Sequence, residues 1–376
     1  MSEPFANRPA GAEPRGHKPL SGPFPPAGAQ GETLLEVGPE DQLWRELLDH
    51  APQATVFHRP EWARVLQSTY GLRPRYFVLS RKNRRPLAGI PFFETRGLLR
   101  RRLISLPFSD VAGPLLVSPH YLEPLVGAVV ETAAAEGIGR LDIRGNCPEA
   151  PPAFGRSDDF CTFFLDLTAD LPTLRGRLQK STIQRSLRIG EKGPLRVRVG
   201  NIEADMAAFH RLNLLTRRVH GVPPQPYRFF RQMWAIMHSA GAMTLLLAEL
   251  SGQPVAGMVL FHSGNTAYYK YGASDPRYLR LRCNHLLMWR AMEWSKERGC
   301  STLDLGRTYL GNEGLMRYKR SWGARQTPLT YWQYPPSKGQ GLLAEGTRAY
   351  RLLTRCWRRL PLWATELGGT LYKHFT

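Results

Sequence analysis

The sequence predicts an α/β protein made of two repeated halves, each built on a mixed sheet, and three observations predict it. First, the strand-like stretch Pro86-Leu87-Ala88-Gly89-Ile90-Pro91-Phe92-Phe93 returns 168 residues later as Pro254-Val255-Ala256-Gly257-Met258-Val259-Leu260-Phe261. Second, Gly137-Ile138-Gly139-Arg140-Leu141-Asp142-Ile143 returns 162 residues later as Gly299-Cys300-Ser301-Thr302-Leu303-Asp304-Leu305. Third, a helical pattern pair precedes each hairpin. Two matches in one order at nearly one offset indicate an internal repeat, which fixes architecture before any motif is weighed.

In chain order, residues 1–32 hold seven prolines and five glycines, too few bulky apolar groups to offset ordering entropy, and read as a disordered tail. Segments 41–49 and 60–69 read as helices. The apolar run 76–80 and the 86–93 stretch then form a hairpin whose second strand is buried on both faces. Residues 121–135 carry apolar groups at helical spacing with a glycine stop, and the strand 138–143 follows. The second half repeats this order with helices at 202–219 and 227–240, the hairpin 244–250 and 254–261, a helix at 284–298 and a strand at 302–305. Between the halves, 175–198 carries eight Lys/Arg against the single acid Glu191. As a helix it would pack Leu178, Ile183 and Leu187 and turn Arg177, Lys180, Arg185 and Arg188 outward, either as a solvated face or as a phosphate site. The 342–360 stretch is amphipathic: Tyr350, Leu353, Trp357 and Leu360 oppose Arg348, Arg351, Arg355 and Arg358, and Pro361 ends it. Such a helix suits an anionic membrane surface or packs on the second domain.

Composition bounds the function. The 376 residues suffice for two domains, and 51 Lys+Arg against 31 Asp+Glu give a net charge of +20. That excess favours polyanionic partners or is a solvated arginine surface. Five widely spaced cysteines without a C-x-x-C pair fit a reducing compartment, and no H-E-x-x-H or other zinc pattern occurs, so no metal is expected. There is no G-x-S-x-G elbow, Walker loop or G-x-G-x-x-G fingerprint. The N-terminus has no signal-like apolar core and no run is long enough to span a bilayer, so the expected location is cytoplasmic.

What remains is a geometry in the second half. A strand ends at Tyr271-Gly272, a loop carries Arg277, Arg280 and Arg282, and a helix starts near Asn284. Free N–H groups at a helix start beside arginines suit a pyrophosphate or phosphodiester. The next strand delivers Asp304 and Gly306-Arg307 to the sheet edge.

Several stretches together resemble one family: FHRPEW at 57–62, SLPFSDVAGPLL at 105–116, QKSTIQRSLRIGEKG at 179–193, VPPQPYRFF at 222–230, LDLGRT at 303–308 and RYKRSWGA at 317–324. The chain resembles the FemAB branch of the GNAT superfamily, including FemAB-like proteins of exosortase and exopolysaccharide loci and BioF-like acetyltransferases. The resemblance covers 35–335 and implies a tandem of two GNAT-like (N-acetyltransferase) domains. FemAB proteins pass an aminoacyl group from tRNA to an amine of a peptidoglycan precursor, and GNAT relatives pass acyl groups from coenzyme A. The family's aromatic-Lys pair falls on Tyr318 and Lys319, with Tyr where Phe is usual.

On this reading 33–170 is a degenerate GNAT-like domain shaping an acceptor groove, 171–335 is the catalytic domain, and 336–376 is a basic amphipathic tail. Lys319 would stabilise a tetrahedral oxyanion. Asp304 would orient Lys319 or take the amine proton, unless it is structural. Arg307 would clamp a phosphate or carboxylate. Tyr271, Gly272, Arg280, Arg282 and Asn284 would bind the donor. Acyl-CoA is the expected donor and aminoacyl-tRNA the alternative, although no Q/R-x-x-G-x-G/A loop and no coiled-coil arm is present. The expected partners are that donor, an envelope-precursor acceptor, tRNA and the anionic inner face of the membrane. The opposing reading is a non-catalytic GNAT-like pair that binds a polyanion.

Overall fold

The computed structural model describes residues 31–336 and 347–359, except 82–84, 97–100, 146, 148 and 152. The tail expected at 1–32 lies outside the described residues, apart from its last two positions. The second of these opens β1 (Glu32–Val37), a strand that periodicity did not reveal. The first half continues with α1 (Gln42–His50), α2 (Pro60–Tyr70), β2 (Arg73–Arg81), β3 (Pro86–Arg96), β4 (Arg101–Ile104), β5 (Leu115–Leu116), α3 (Leu122–Ala135) and β6 (Arg140–Arg144). A long strand, β7 (Gly155–Asp166), leads on to α4 (Leu171–Arg177), α5 (Arg185–Lys192) and β8 (Leu195–Val199). Then follow α6 (Glu203–His220), α7 (Tyr227–Met233), β9 (Met243–Leu250), β10 (Gln253–Ser263), β11 (Thr266–Ser274) and α8 (Cys283–Glu297). The described chain closes with β12 (Thr302–Asp304), β13 (Thr308–Tyr309), α9 (Glu313–Ser321), β14 (Arg325–Tyr334) and α10 (Arg348–Arg359).

All the strands join one mixed sheet, with the through order β1-β2-β3-β4-β6-β14-β7-β12-β11-β10-β9-β8. The order is symmetric about its middle. β1 to β4 and β6 of one half mirror β8 to β12 of the other, and each half holds one parallel pair, β4 with β6 and β11 with β12. The repeat read from the sequence is therefore a repeat of topology. The two central strands are exchanged: β7, which follows β6, pairs with β12, whereas β14, which follows α9, pairs with β6. β7 and β14 also pair with each other, so the halves share backbone hydrogen bonds. Two separate sheets were the simpler expectation, and this exchange is why one continuous sheet forms instead.

Packing joins the halves as firmly. Trp62 of α2 meets Phe229 edge-on at 6.0 Å and Phe261 at 5.5 Å, in a core that also takes Trp44, Phe57, Tyr76, Phe209 and Tyr271. On the opposite face, α8 buries Leu287, Met288, Ala291 and Met292 against Ala256, Met258 and Leu260. The leucines and methionines among them each contribute about 1.5–3 kcal/mol when fully buried.

Helix ends follow their caps. Pro60 starts α2 and Gly71 ends it at φ +66°; Glu203 and Asp205 fill the first turn of α6 and Gly221 closes it at φ +70°. The segment 227–240 is not one helix, since α7 gives way to a π turn at Trp234–His238. The basic stretch 175–198 is likewise divided into α4, a π turn at Lys180–Gln184, α5 and β8, although Leu178, Ile183 and Leu187 are buried as their spacing requires. α10 packs on α6, and a Cβ at Gly221 would collide with the Thr354 carbonyl. Leu360 and Pro361 lie outside the described residues, and α10's Trp357 is half-buried.

Candidate functional site

The loop after β4, Ser105 to Pro114, carries two non-glycine residues with left-handed backbone, Leu106 at φ 46° and Phe108 at φ 63°. Such conformations persist only where the surroundings over-determine them. Here they do: Trp62 Nε1 donates to Ser109 Oγ at 2.8 Å, the Ala112 amide donates to the Arg144 carbonyl at 2.6 Å, and the Tyr331 hydroxyl donates to the Asp110 carbonyl at 2.8 Å. Phe108 stacks on Tyr70 at 4.8 Å. The loop thereby holds Asp110 against the second half.

Lys270 meets it from β11. The β10–β11 register pairs Val259 with Tyr271 and Leu260 with Tyr269, which leaves Lys270 as the extra residue of a β-bulge. A bulge re-aims a side chain within a ladder, and the Lys270 ammonium sits 4.6 Å from the Phe57 ring centre and 5.8 Å from that of Trp62. It donates to the Phe108 carbonyl at 2.7 Å and lies 3.6 Å from the Asp110 carboxylate. Burial lowers the Lys270 pKa, with Asp110 opposing that shift. Burial alone would raise the Asp110 carboxyl, but Lys270, Arg307 and Lys319 outweigh it and hold it below its ordinary value.

β12, β13 and α9 supply the facing wall. Asp304 accepts from Thr162 Oγ1 at 2.9 Å and from the Gly306 amide at 2.7 Å. This carboxylate-to-i+2 turn fixes Gly306 at φ +76°. Burial pushes the Asp304 pKa up to about 6; the Gly306 amide and Thr162 oppose the rise and Asp110 adds to it. Lys319, reaching in from α9, donates to the Gly306 carbonyl and to Thr308 Oγ1, both at 2.7 Å, and lies 5.5 Å from the Phe163 ring centre. Burial lowers its pKa to about 8 against the opposing pull of Asp110 and Asp304. The Arg307 guanidinium lies 4.2 Å from the Phe160 ring centre, beside Tyr331.

Of the residues singled out in the sequence, the structure brings Asp304, Arg307 and Lys319 together, and it adds Asp110, Lys270, Thr162, Thr308 and Tyr331. Asp304 makes its hydrogen bonds to Thr162 and Gly306 rather than to Lys319. Tyr318 lies on the other side of α9, its ring 6.0 Å from that of His285 and 6.3 Å from that of Trp322, and burial raises its pKa. Tyr271 is an interior aromatic, edge-on to Phe229 and Phe230. Gly272 is explained by Tyr269, whose hydroxyl occupies the place a Cβ would need. Arg280 and Arg282 are exposed around a 3-10 turn, Pro276–Leu281, and α8 begins after Arg282 with no side-chain cap. Asn284, in the first turn of α8, donates to Ser274 Oγ at 3.3 Å. These last three form a separate surface from the buried cluster. Among the described residues no group of three or more His, Cys, Asp or Glu could hold a metal ion, and no helix is long and apolar enough to cross a membrane.

Gly306 is where this geometry is most exposed to test. An added Cβ would meet Asp110 Oδ2 at 3.3 Å and the Tyr269 carbonyl at 3.5 Å, at a φ that L residues avoid. Gly306→Ala should cost about 1–2 kcal/mol of stability and displace Asp110. Gly252→Ala is the control, because its φ is +78° with nothing within 4 Å. Thermal melting should fall in both variants and activity only in the first.

Comparison with known proteins bears on the fold and the reaction class. Residues 177–320 match the model of an acetyltransferase (GNAT) domain. The lipid II:glycine glycyltransferase of Staphylococcus epidermidis is 34% identical over 82 residues, and that of Staphylococcus haemolyticus is 35% identical over 88 residues. The matched segments span 20% of this chain and of the first relative, and 22% and 21% for the second. Among solved structures, FemX superposes with a TM-score of 0.63 at 14% identity, covering 80% of this chain and 96% of FemX. A tandem GNAT protein from the clavulanic acid biosynthesis pathway gives 0.50 at 13% identity, covering 82% of this chain and all of that one. At such identities the likeness is one of fold, and that fold is a tandem of GNAT domains. The domain match, the glycyltransferase segment and the paired topology together make the chain similar to the FemAB-like proteins of the GNAT superfamily.

Proposed function

We propose that this protein transfers an acyl or aminoacyl group from an activated ester or thioester to an amine on a sugar- or peptide-containing precursor of the cell envelope. The observation that carries the reading is the cluster where the halves meet: a carboxylate kept ionised, Asp110, faces the cations of Lys319 and Arg307. As the amine nitrogen attacks the carbonyl carbon, Asp110 takes its proton. Lys319 spends two of its three N–H groups on Gly306 and Thr308 and turns the third to the developing oxyanion. Collapse of the tetrahedral intermediate breaks the bond to the leaving oxygen or sulfur, which takes up the proton that Asp110 received and returns Asp110 to its carboxylate form. Arg307 clamps an anionic group of the acceptor. Asp304 acts by holding the Gly306 turn, and Tyr318 packs behind α9.

On this reading residues 171–335 carry the donor and most of the chemistry, while 33–170 shapes the acceptor groove and contributes Asp110. The uncapped start of α8 with Arg280, Arg282 and Asn284 fits the phosphates of a donor. Both coenzyme A and the end of a tRNA offer those phosphates. The name of the glycyltransferases supports an aminoacyl donor and a lipid-linked acceptor, which this chain would meet at the cytoplasmic face of the membrane. Thermal-shift titration of the purified protein with acetyl-CoA, longer acyl-CoAs and aminoacyl-tRNA tests this. One donor class should give saturable stabilisation that Arg282→Ala weakens; response to none of them would favour a polyanion-binding role without catalysis.

The pH profile tests the roles. Lys319 is needed protonated, so the rate at saturating acceptor should fall as pH rises through about 8. In Lys319→Met the residual rate should lack this alkaline limb.

A further inference from the structure

The basic segment between the halves contributes no side chain to the cluster described above. On its outer side Lys180, Ser181, Arg185, Arg188, Ile189 and Lys192 line an open cavity of about 650 Å³. All four cations are exposed, and none has an ion-pair partner among the described residues. Two flanking arginines are neutralised: Arg175 pairs with Glu191 at 2.6 Å, and Arg198 pairs with Asp205 at 2.7 Å and Glu249 at 2.8 Å. The spacing keeps the four on one side of the π turn and α5, over roughly 18 Å of helix. That length exceeds one phosphate, so the row addresses several anions at once. Ile189, 41% exposed, stands among them, and no aromatic ring lines the cavity, so unstacked bases would find no platform.

We propose that this face rests on an anionic lipid surface, the cations taking headgroup phosphates and Ile189 reaching just below them. It differs from the membrane contact expected of α10. α10 packs on α6, whose Phe209 lies against Gly257 in the core with Leu245, Leu247 and Val259; α5 lies against α8, which covers the alternate residues Leu246, Ala248 and Met258. The two basic helices are therefore on opposite sides of the sheet. The Gln179 amide donates to the carbonyl of Ser321 at 3.3 Å, tying the start of this face to the end of α9, the helix of Lys319. Docking here would present the site to a lipid-linked acceptor, a purpose that rests on the reading proposed above.

The test is sedimentation with phosphatidylcholine vesicles, with and without one part phosphatidylglycerol in three, at physiological salt. Wild-type protein should bind only the anionic vesicles, and Arg185→Ala/Arg188→Ala should weaken that binding about 30-fold. Ile189→Asp should weaken it further, and the melting curve of the double arginine variant should be unchanged, because neither Arg185 nor Arg188 has a hydrogen bond or ion pair to lose among the described residues. Wild-type binding by the double variant would overturn the proposal. So would a loss confined to Arg355→Ala/Arg358→Ala in α10, or a loss of tRNA binding with vesicle binding intact. No readout involves acyl transfer, so failure here would leave the proposed activity standing.

Discussion

Asp110→Asn should lower kcat/KM by about 10²–10⁴-fold, the range for a positioned general base, while donor affinity stays at the wild-type level. The amide keeps the shape of the carboxylate, and the loop is pinned by Trp62, Tyr331 and Lys270 through Ser109, the Asp110 carbonyl and Phe108. What disappears is the capacity to accept a proton. Stability should fall as well, because Lys270, with its side chain only 6% exposed, loses its counter-ion. The double variant Asp110→Asn/Lys270→Met separates the two effects. Removing both charges should restore the melting temperature and leave the rate at its lowered value. A rate restored together with stability would assign Asp110 to structure alone.

Lys319→Met should lower kcat by about 10²–10³-fold with little change in KM for the donor, as expected when one oxyanion donor is removed. Methionine keeps an apolar stem beside Phe163 and relieves the burial of an ammonium whose pKa is already drawn down to about 8. Folding should therefore survive, although the bonds to Gly306 and Thr308 are lost. A raised KM with unchanged kcat would instead make Lys319 a ground-state binding residue. Paired measurement of kcat and KM decides between them.

The repeat was legible because its hairpins are apolar on both faces, and such strands keep their pattern when buried. β7 and β14 escaped notice for the converse reason. Gly155 to Asp159 mixes charge with small residues, Arg325 to Thr327 is polar, and neither resembles a buried strand until each is set beside the other half. Asp304, Arg307 and Lys319 were legible from their closeness in sequence. Asp110 stood unmarked within the 105–116 motif, more than 190 residues from Asp304, and only the pairing of halves makes them neighbours. Lys270 did carry a signal, as the one charged residue in the run Tyr268-Tyr269-Lys270-Tyr271. A charge in an apolar strand needs a partner, but the sequence does not say where a bulge will aim it. Tyr271 and Gly272 carry a packing explanation of their own, in aromatic contacts and the Tyr269 hydroxyl, that the sequence does not show.

The most direct test of the central claim follows label from donor to acceptor. Radiolabelled acetyl-CoA and aminoacyl-tRNA are each incubated with a crude preparation of envelope precursors and either wild-type protein or Asp110→Asn. The wild type should move label from one of the two into a product stable to mild alkali, as an amide is and an ester is not, and Asp110→Asn should move almost none. Absence of transfer by the wild type from either donor, or equal transfer by both proteins, would contradict the account.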